Sequence, residues 1–130
     1  MIRIVQNKYN IGDIVFVGEY NYSNESLGEN HLFVIIDDDN KVVPLDYFGL
    51  IVSSHIEKSK KKNKYIYNEP LLKSDVNNLL LDSIVKCDDL FTLPSKNIKY
   101  KIGTVEIDDF LRFITAYNNK IKSTATKITS

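Results

Sequence analysis

The chain has 130 residues, 17 basic and 17 acidic, giving no formal net charge, and 43% of its residues are hydrophobic. That length supports one core and excludes two comfortable domains; the charge balance excludes a global positive field that draws nucleic acid, so an anionic partner must be met by a local patch. A single cysteine excludes an internal disulfide framework, and without a signal-peptide pattern or a bilayer-length apolar run the sequence reads as soluble and cytoplasmic, with no membrane association.

The first element is "IGDIVFVGEY". Gly12-Asp13 is turn chemistry, and the β-branched and aromatic run Ile14 to Val17, bounded by Gly18, predicts a strand. The polar stretch "NYSNESLGEN", ending at His31, predicts a loop of about ten residues, long enough to do more than join neighbouring strands. "HLFVII" reads as a buried strand, "DDDN" as a turn, "KVVPL" as a second strand and "GLIVSS" as a third. Short strands joined by turns point to a small barrel or rolled sheet. "HIEKSKKKNK" leaves that sheet with a run of lysines, and "KYIYNE" alternates as a half-exposed strand, Tyr65 and Tyr67 facing one way and Ile66 the other.

Between Leu71 and Leu81 the pattern is ambiguous: Ser74 is a cap for a short helical turn over Asp75 to Leu80, while two asparagines oppose a long helix. "DSIVKC" returns to strand character. Ile107, Phe110, Leu111, Ile114, Tyr117 and Ile121 follow the spacing of one helical face, with Asp108 and Asp109 in the first turn and Lys120 and Lys122 in the last. This predicts a packed C-terminal helix, a single domain over 1–122, and a flexible tail over 123–130.

Five stretches, in order, resemble one family. "GDIVFV" is similar to an opening "GDI" strand; "HLFVII" stands where that family has Arg-Pro before an apolar strand; "VSSHIEKSK" resembles its Thr/Ser-bearing strand end. "VKCDDLFTL" is similar to a pattern of Val, basic residue, Cys, Asp, two variable residues and a Thr-containing tail, and "KIGTVEIDDFLRFI" resembles a "K-x-G-x-V" lead into a closing helix. The family is the MazF/PemK (Kid-like) toxins. The resemblance implies a mainly β fold with a C-terminal helix, an SH3-like small barrel of the MazF/PemK/CcdB kind, usually a homodimer. It also implies a metal-independent endoribonuclease that cuts single-stranded RNA at short sequences, without cofactors, with an antitoxin partner that is a protein or an RNA.

Cutting RNA without a metal needs a base for the 2'-hydroxyl proton, an acid for the leaving 5'-oxygen and a donor for charge developing on the phosphate. On a strand, Lys86 and Asp88 share one face while Cys87 points to the other, so Cys87 reads as core packing and the polar pair projects into a groove or forms an exposed ion pair. The resemblance favours catalysis, since the matching family positions hold a basic residue and an acid. His31 replaces the family's arginine and Leu32 its proline. Imidazole exchanges protons near neutral pH but lacks guanidinium's two-point grip on phosphate, so two readings stay open: His31 transfers the proton itself, or the protein binds RNA without cutting it.

Ser53 and Ser54 stand where the family has a Thr or Ser that hydrogen-bonds the scissile phosphate; Ser53 joins His31, Lys86 and Asp88 as a catalytic candidate. The candidate RNA-binding residues are Ser54, His55, Lys58 and Lys60 from the strand end and lysine run, and Tyr20 and Tyr22 as stacking surfaces by the long loop. Two histidines, one cysteine and scattered carboxylates show no zinc spacing. The competing class is a non-catalytic binding protein on the same fold, gyrase-directed or RNA-binding without cleavage.

Overall fold

Apolar side chains that alternate along three neighbouring strands give a sheet two dry faces, and here both are used. The computed structural model describes residues 8–22, 26–54 and 66–129, with side chains as far as Thr124. Its strands are β1 (Asp13–Asn21), β2 (Leu27–Asp38), β3 (Asp46–Ser53), β4 (Asn68–Leu71), β5 (Ser83–Pro94) and β6 (Ile98–Thr104), followed by helix α1 (Ile107–Thr129). They form one sheet in the order β4-β5-β3-β2-β1-β6, every described pair antiparallel. This is the expected class, mainly β with a C-terminal helix.

One face packs rings and branched chains together: Val15, Val17, Tyr20, Phe33, Tyr47 and Phe91 are buried in a single cluster. The other face carries Ile14, Val34, Leu50, Val52, Val85 and Cys87, closed over by Leu79, Phe113 and Ala116. Ile51 belongs to the first cluster and its neighbours Leu50 and Val52 to the second, the period-two pattern expected of a strand buried on both sides.

Two sequence motifs explain how the ends are pinned. Gly12, at φ +95, adopts a conformation open to glycine, and its carbonyl accepts from Val105 N–H and Thr104 Oγ1. Asp13, buried, pairs with Lys101 Nζ at 3.1 Å, so the acid of "GDI" meets the lysine of "KIGTV". The glycine of that second motif, Gly103, admits a close backbone approach: a Cβ there would lie 2.4 Å from Asn77 O.

Several predicted elements differ. The described part of the ten-residue loop before His31 is mostly sheet: β1 passes through Gly18 to Asn21, β2 begins at Leu27, and Tyr22 N–H donates to Ser26 O. Polar alternation hid that pairing, because Glu19 faces Glu29 while Tyr20 packs inward beside Gly28. "KVVPL" is not a strand; Lys41 to Leu45 is a loop tied by Asp39, whose Oδ2 accepts from Leu45 and Asp46 N–H and leaves Val42 exposed. In "KYIYNE" Tyr65 lies outside the described residues, Ile66 and Tyr67 form a turn, and β4 starts at Asn68.

The expected helical turn at Ser74 forms as a single turn, Asn78 N–H donating to Ser74 O at 3.0 Å, within an asparagine-built connection. Ser74 Oγ accepts from Asn77 N–H as a cap would, but buried Asn77 also takes the Ser74 and Leu79 N–H groups on Oδ1 and donates to Leu72 O. Side-chain competition for backbone groups thus stops the helix after that one turn. Strand β6 was missed altogether, its lysines masking an edge strand. The C-terminal helix forms, but the face it buries centres on Phe113 and Ala116, leaving Ile107, Leu111 and Ile121 exposed. It continues to Thr129, into the segment expected to be a tail.

Candidate active site

Strand β3 ends at Ser53, whereas β2 runs on past His31 to Leu27 alongside β1. Where the sheet narrows lies a cleft of about 500 Å³, walled by Phe16, Leu32, Val52, Tyr100 and Ile102 from the strands and by the Asn78 to Leu81 segment opposite. His31, Ser53 and Ser54 also line it, as does Asn30. A pocket of that size, mostly apolar with a few polar groups, is the usual form of a ligand site.

The register explains why His31 and Ser53 meet. Leu32 pairs with Val52, so the next step along the two antiparallel strands sets His31 opposite Ser53. The His31 ring lies near the rings of Tyr20 and Phe33, 6.4 and 6.2 Å between centroids. Its Nδ1 accepts from Leu32 N–H at 3.1 Å, so in the neutral imidazole the proton sits on Nε2. Ser53 is only 5% exposed, so little of it reaches solvent.

Lys86 and Asp88 do not line this cleft. Lys86 pairs with Ile51, two residues from Ser53 on the same face of β3, making it a diagonal neighbour at roughly 7–8 Å between backbones. Cys87 turns to the opposite face and is buried, as expected from alternation. Burial, then the charges of Glu69 and Asp88, push its thiol up to about 12, so it is a packing group and not a nucleophile. Asp88 stands in an irregular stretch: β3 advances two residues from Gly49 to Ile51 while β5 goes from Phe91 to Lys86. Among the described residues Lys86 and Asp88 form no ion pair with each other.

The RNA-binding candidates separate likewise. Tyr20 is corrected to a core residue: it is 3% exposed, packed edge-on against Phe33 and Phe91, and burial followed by its bond to Tyr22 raises its phenol above the usual range. Tyr22 is exposed, its ring beside Phe91. Ser54 lines the cleft. His55, Lys58 and Lys60 lie outside the described residues.

The profile of PemK-like, MazF-like toxins of type II toxin–antitoxin systems matches residues 10–116. The chain belongs to that family. Among solved structures, the toxin resembles Mycobacterium tuberculosis toxin MazF-mt6, with TM-score 0.59 and 16% identity over 85% of this chain and 96% of that one. It also resembles a mycobacterial endoribonuclease in complex with its cognate antitoxin, with TM-score 0.60 and 13% identity over 90% and 96%. A mycobacterial endoribonuclease gives TM-score 0.59 at 12% identity over 92% and 96%. At such identities the likeness is one of fold. No curated protein matches the chain significantly by sequence.

For this toxin, sequence reasoning missed the far wall of the cleft. Phe16 and Tyr100 are distant in the chain and become neighbours only through the β1–β6 pairing, and Asn78 enters only because its φ of +56 ends the Asn77 turn. Among the described residues no group of three or more His, Cys, Asp or Glu is placed to hold a metal, and no helix is long and apolar enough to cross a membrane.

Proposed function

We propose that this toxin is a sequence-specific, metal-independent endoribonuclease that cuts single-stranded RNA by transesterification. The observation that carries the reading is that a member of this family brings His31 and Ser53, from different strands, onto the lining of one cleft. In the reaction the 2'-oxygen attacks phosphorus and loses its proton to a base. The bond from phosphorus to the 5'-oxygen breaks, and that oxygen takes a proton from an acid, leaving a 2',3'-cyclic phosphate and a 5'-hydroxyl. With Nδ1 engaged by Leu32 N–H, His31 exchanges protons through Nε2. Ser53 donates to a phosphate oxygen, and Lys86, one diagonal step away, offers its ammonium to the charge that builds there. Asp88, in the irregular part of β5, receives no role.

Purified protein is expected to fragment a long single-stranded RNA in the presence of a chelator, and His31→Ala to suppress it. One feature favours a second reading, binding without cleavage: imidazole stands where the resembling family has arginine. Intact RNA with a mobility shift would establish that reading, and loss of supercoiling with no RNA effect would establish a gyrase-directed one. His31→Arg raises cleavage if the histidine is a handicap and leaves it low if the site is built around imidazole.

The partner we assign is a cognate antitoxin, which in a type II system is a protein; one structural neighbour is held by its own. The exposed Leu111 and Ile121 on α1 support self-association as a homodimer, acting in the cytoplasm.

A further inference from the structure

The mechanism above leaves two aromatic side chains of the cleft without a task. Phe16 on β1 and Tyr100 on the edge strand β6 are directly paired, and their rings stack 5.2 Å apart with 17° between planes. A stacked pair hides one face of each ring. Tyr100 is nonetheless 51% exposed, so its outer face remains a flat apolar surface in water. Leu80 and Leu81, 90% and 61% exposed, line the same cleft from the opposite segment.

The polar groups around these walls are held in defined orientations. Asn78 Nδ2 donates to Ile102 O at 2.8 Å, which leaves its Oδ1 as an acceptor. Asn30 Oδ1 accepts from Lys99 Nζ at 3.5 Å, which leaves its amide hydrogens as donors and keeps an ammonium beside the cleft. That ammonium lies 5.8 Å from the Phe16 ring centroid. A flat ring surface, an aliphatic wall, one acceptor, one donor and a cation together match a nucleotide: a ring to stack, an edge to read, a phosphate to neutralise.

We propose that the cleft is a subsite for one unpaired nucleobase of the RNA, stacked on Tyr100 and read at its edge by Asn78, next to the phosphate served by His31 and Ser53. Asn78 Oδ1 accepts from whichever donor the base edge presents, the amino group of adenine, cytosine or guanine or the N3–H of uracil, so the subsite holds an unpaired base by one stack and one edge bond. This assignment rests on the ribonuclease reading, and base binding is measured apart from cleavage so that the two fail separately.

The probe is a 2'-O-methyl oligonucleotide, which the mechanism cannot cut, carrying 2-aminopurine at successive positions; anisotropy reports binding and quenching reports stacking. Wild-type protein is expected to quench the probe at one position. Tyr100→Phe should keep that quenching, while Tyr100→Ala should abolish it and weaken binding by about fivefold to a hundredfold, the scale of one base–aromatic stack. Far-UV circular dichroism checks that each variant is folded. Asn78→Ala should keep the quenching and weaken binding of the same probe by about twofold to tenfold, the scale of one hydrogen bond. Binding whose quenching survives Tyr100→Ala in a folded variant overturns the proposal, as does absence of binding by the wild type. RNA cleavage in chelator, run in parallel, reports on the ribonuclease reading alone: lost cleavage with Tyr100-dependent quenching sinks the nuclease and keeps the subsite.

Discussion

Two pairs of side chains in this toxin have the right chemistry for acid–base work, and the sheet treats them differently. His31 and Ser53 come from separate strands and share a cleft because the β2–β3 register sets them opposite each other. Lys86 and Asp88 are close neighbours on one strand, yet neither lines that cleft, and the irregularity in β5 begins after Lys86 and takes in Asp88. Proximity along the chain is therefore a poorer guide to a site than the pairing of strands. Lys86 still lies one diagonal step from Ser53, within reach of a phosphate, whereas Asp88 does not share that position.

The comparison breaks first at His31. His31→Ala is expected to lower the single-turnover cleavage rate by about a hundredfold or more, the scale of losing a general acid or base. An equal loss from Asp88→Asn would erase the distinction between the pairs. The next largest effect is expected from Gly28→Ala: a Cβ there would lie 2.4 Å from the Tyr20 ring, which packs against both Phe33 and His31. Overpacking of this kind costs about 1–3 kcal/mol, measured by denaturant unfolding, and should slow cleavage by displacing the ring beside His31.

Lys86→Ala is expected to slow cleavage by less than about tenfold, with a larger share in KM than in kcat, as for an exposed cation that assists from beside the site. A loss matching that of His31→Ala would move the centre of the chemistry to β5. Cys87 gives the smallest and cleanest check, since it reports which way β5 faces. Its thiol, raised to about 12 chiefly by burial, should resist a thiol-specific reagent at pH 8 in the folded protein and react once the chain is unfolded. The unfolded thiol ionises from its ordinary value of 9.0, so its contribution to stability is intact below pH 9 and is lost as pH rises towards 12. Rapid labelling of the folded protein would show that β5 projects the other way.

What the sequence made legible depends on how each signal arises. Apolar runs such as Ile14 to Val17 and Leu32 to Ile36 marked strands because both of their faces are buried, and the C-terminal helix was marked by its spacing and end charges. Phe110 and Tyr117 of the expected helix face do pack on the core, but Phe113 and Ala116, which satisfy helical spacing with them, complete the buried stripe in place of Ile107, Leu111 and Ile121. Val42 and Val43 read as strand residues but lie in the loop that Asp39 organises, where backbone bonds to a carboxylate outweigh β propensity. The site was half legible. His31 and Ser53 were named as candidates through the resemblance, and their adjacency needed the register; Phe16, Tyr100 and Asn78 carried no local mark, since their place in the cleft comes from which strands pair.

The most direct test of this account is the pH dependence of the cleavage step. In chelator, the single-turnover rate on a defined single-stranded RNA should show a limb between about pH 5 and 8, where imidazoles titrate, and His31→Gln should remove the limb along with most of the rate. A rate flat across that range, or a limb that survives His31→Gln, would contradict the assignment of the proton to His31 and with it the catalytic reading of the cleft.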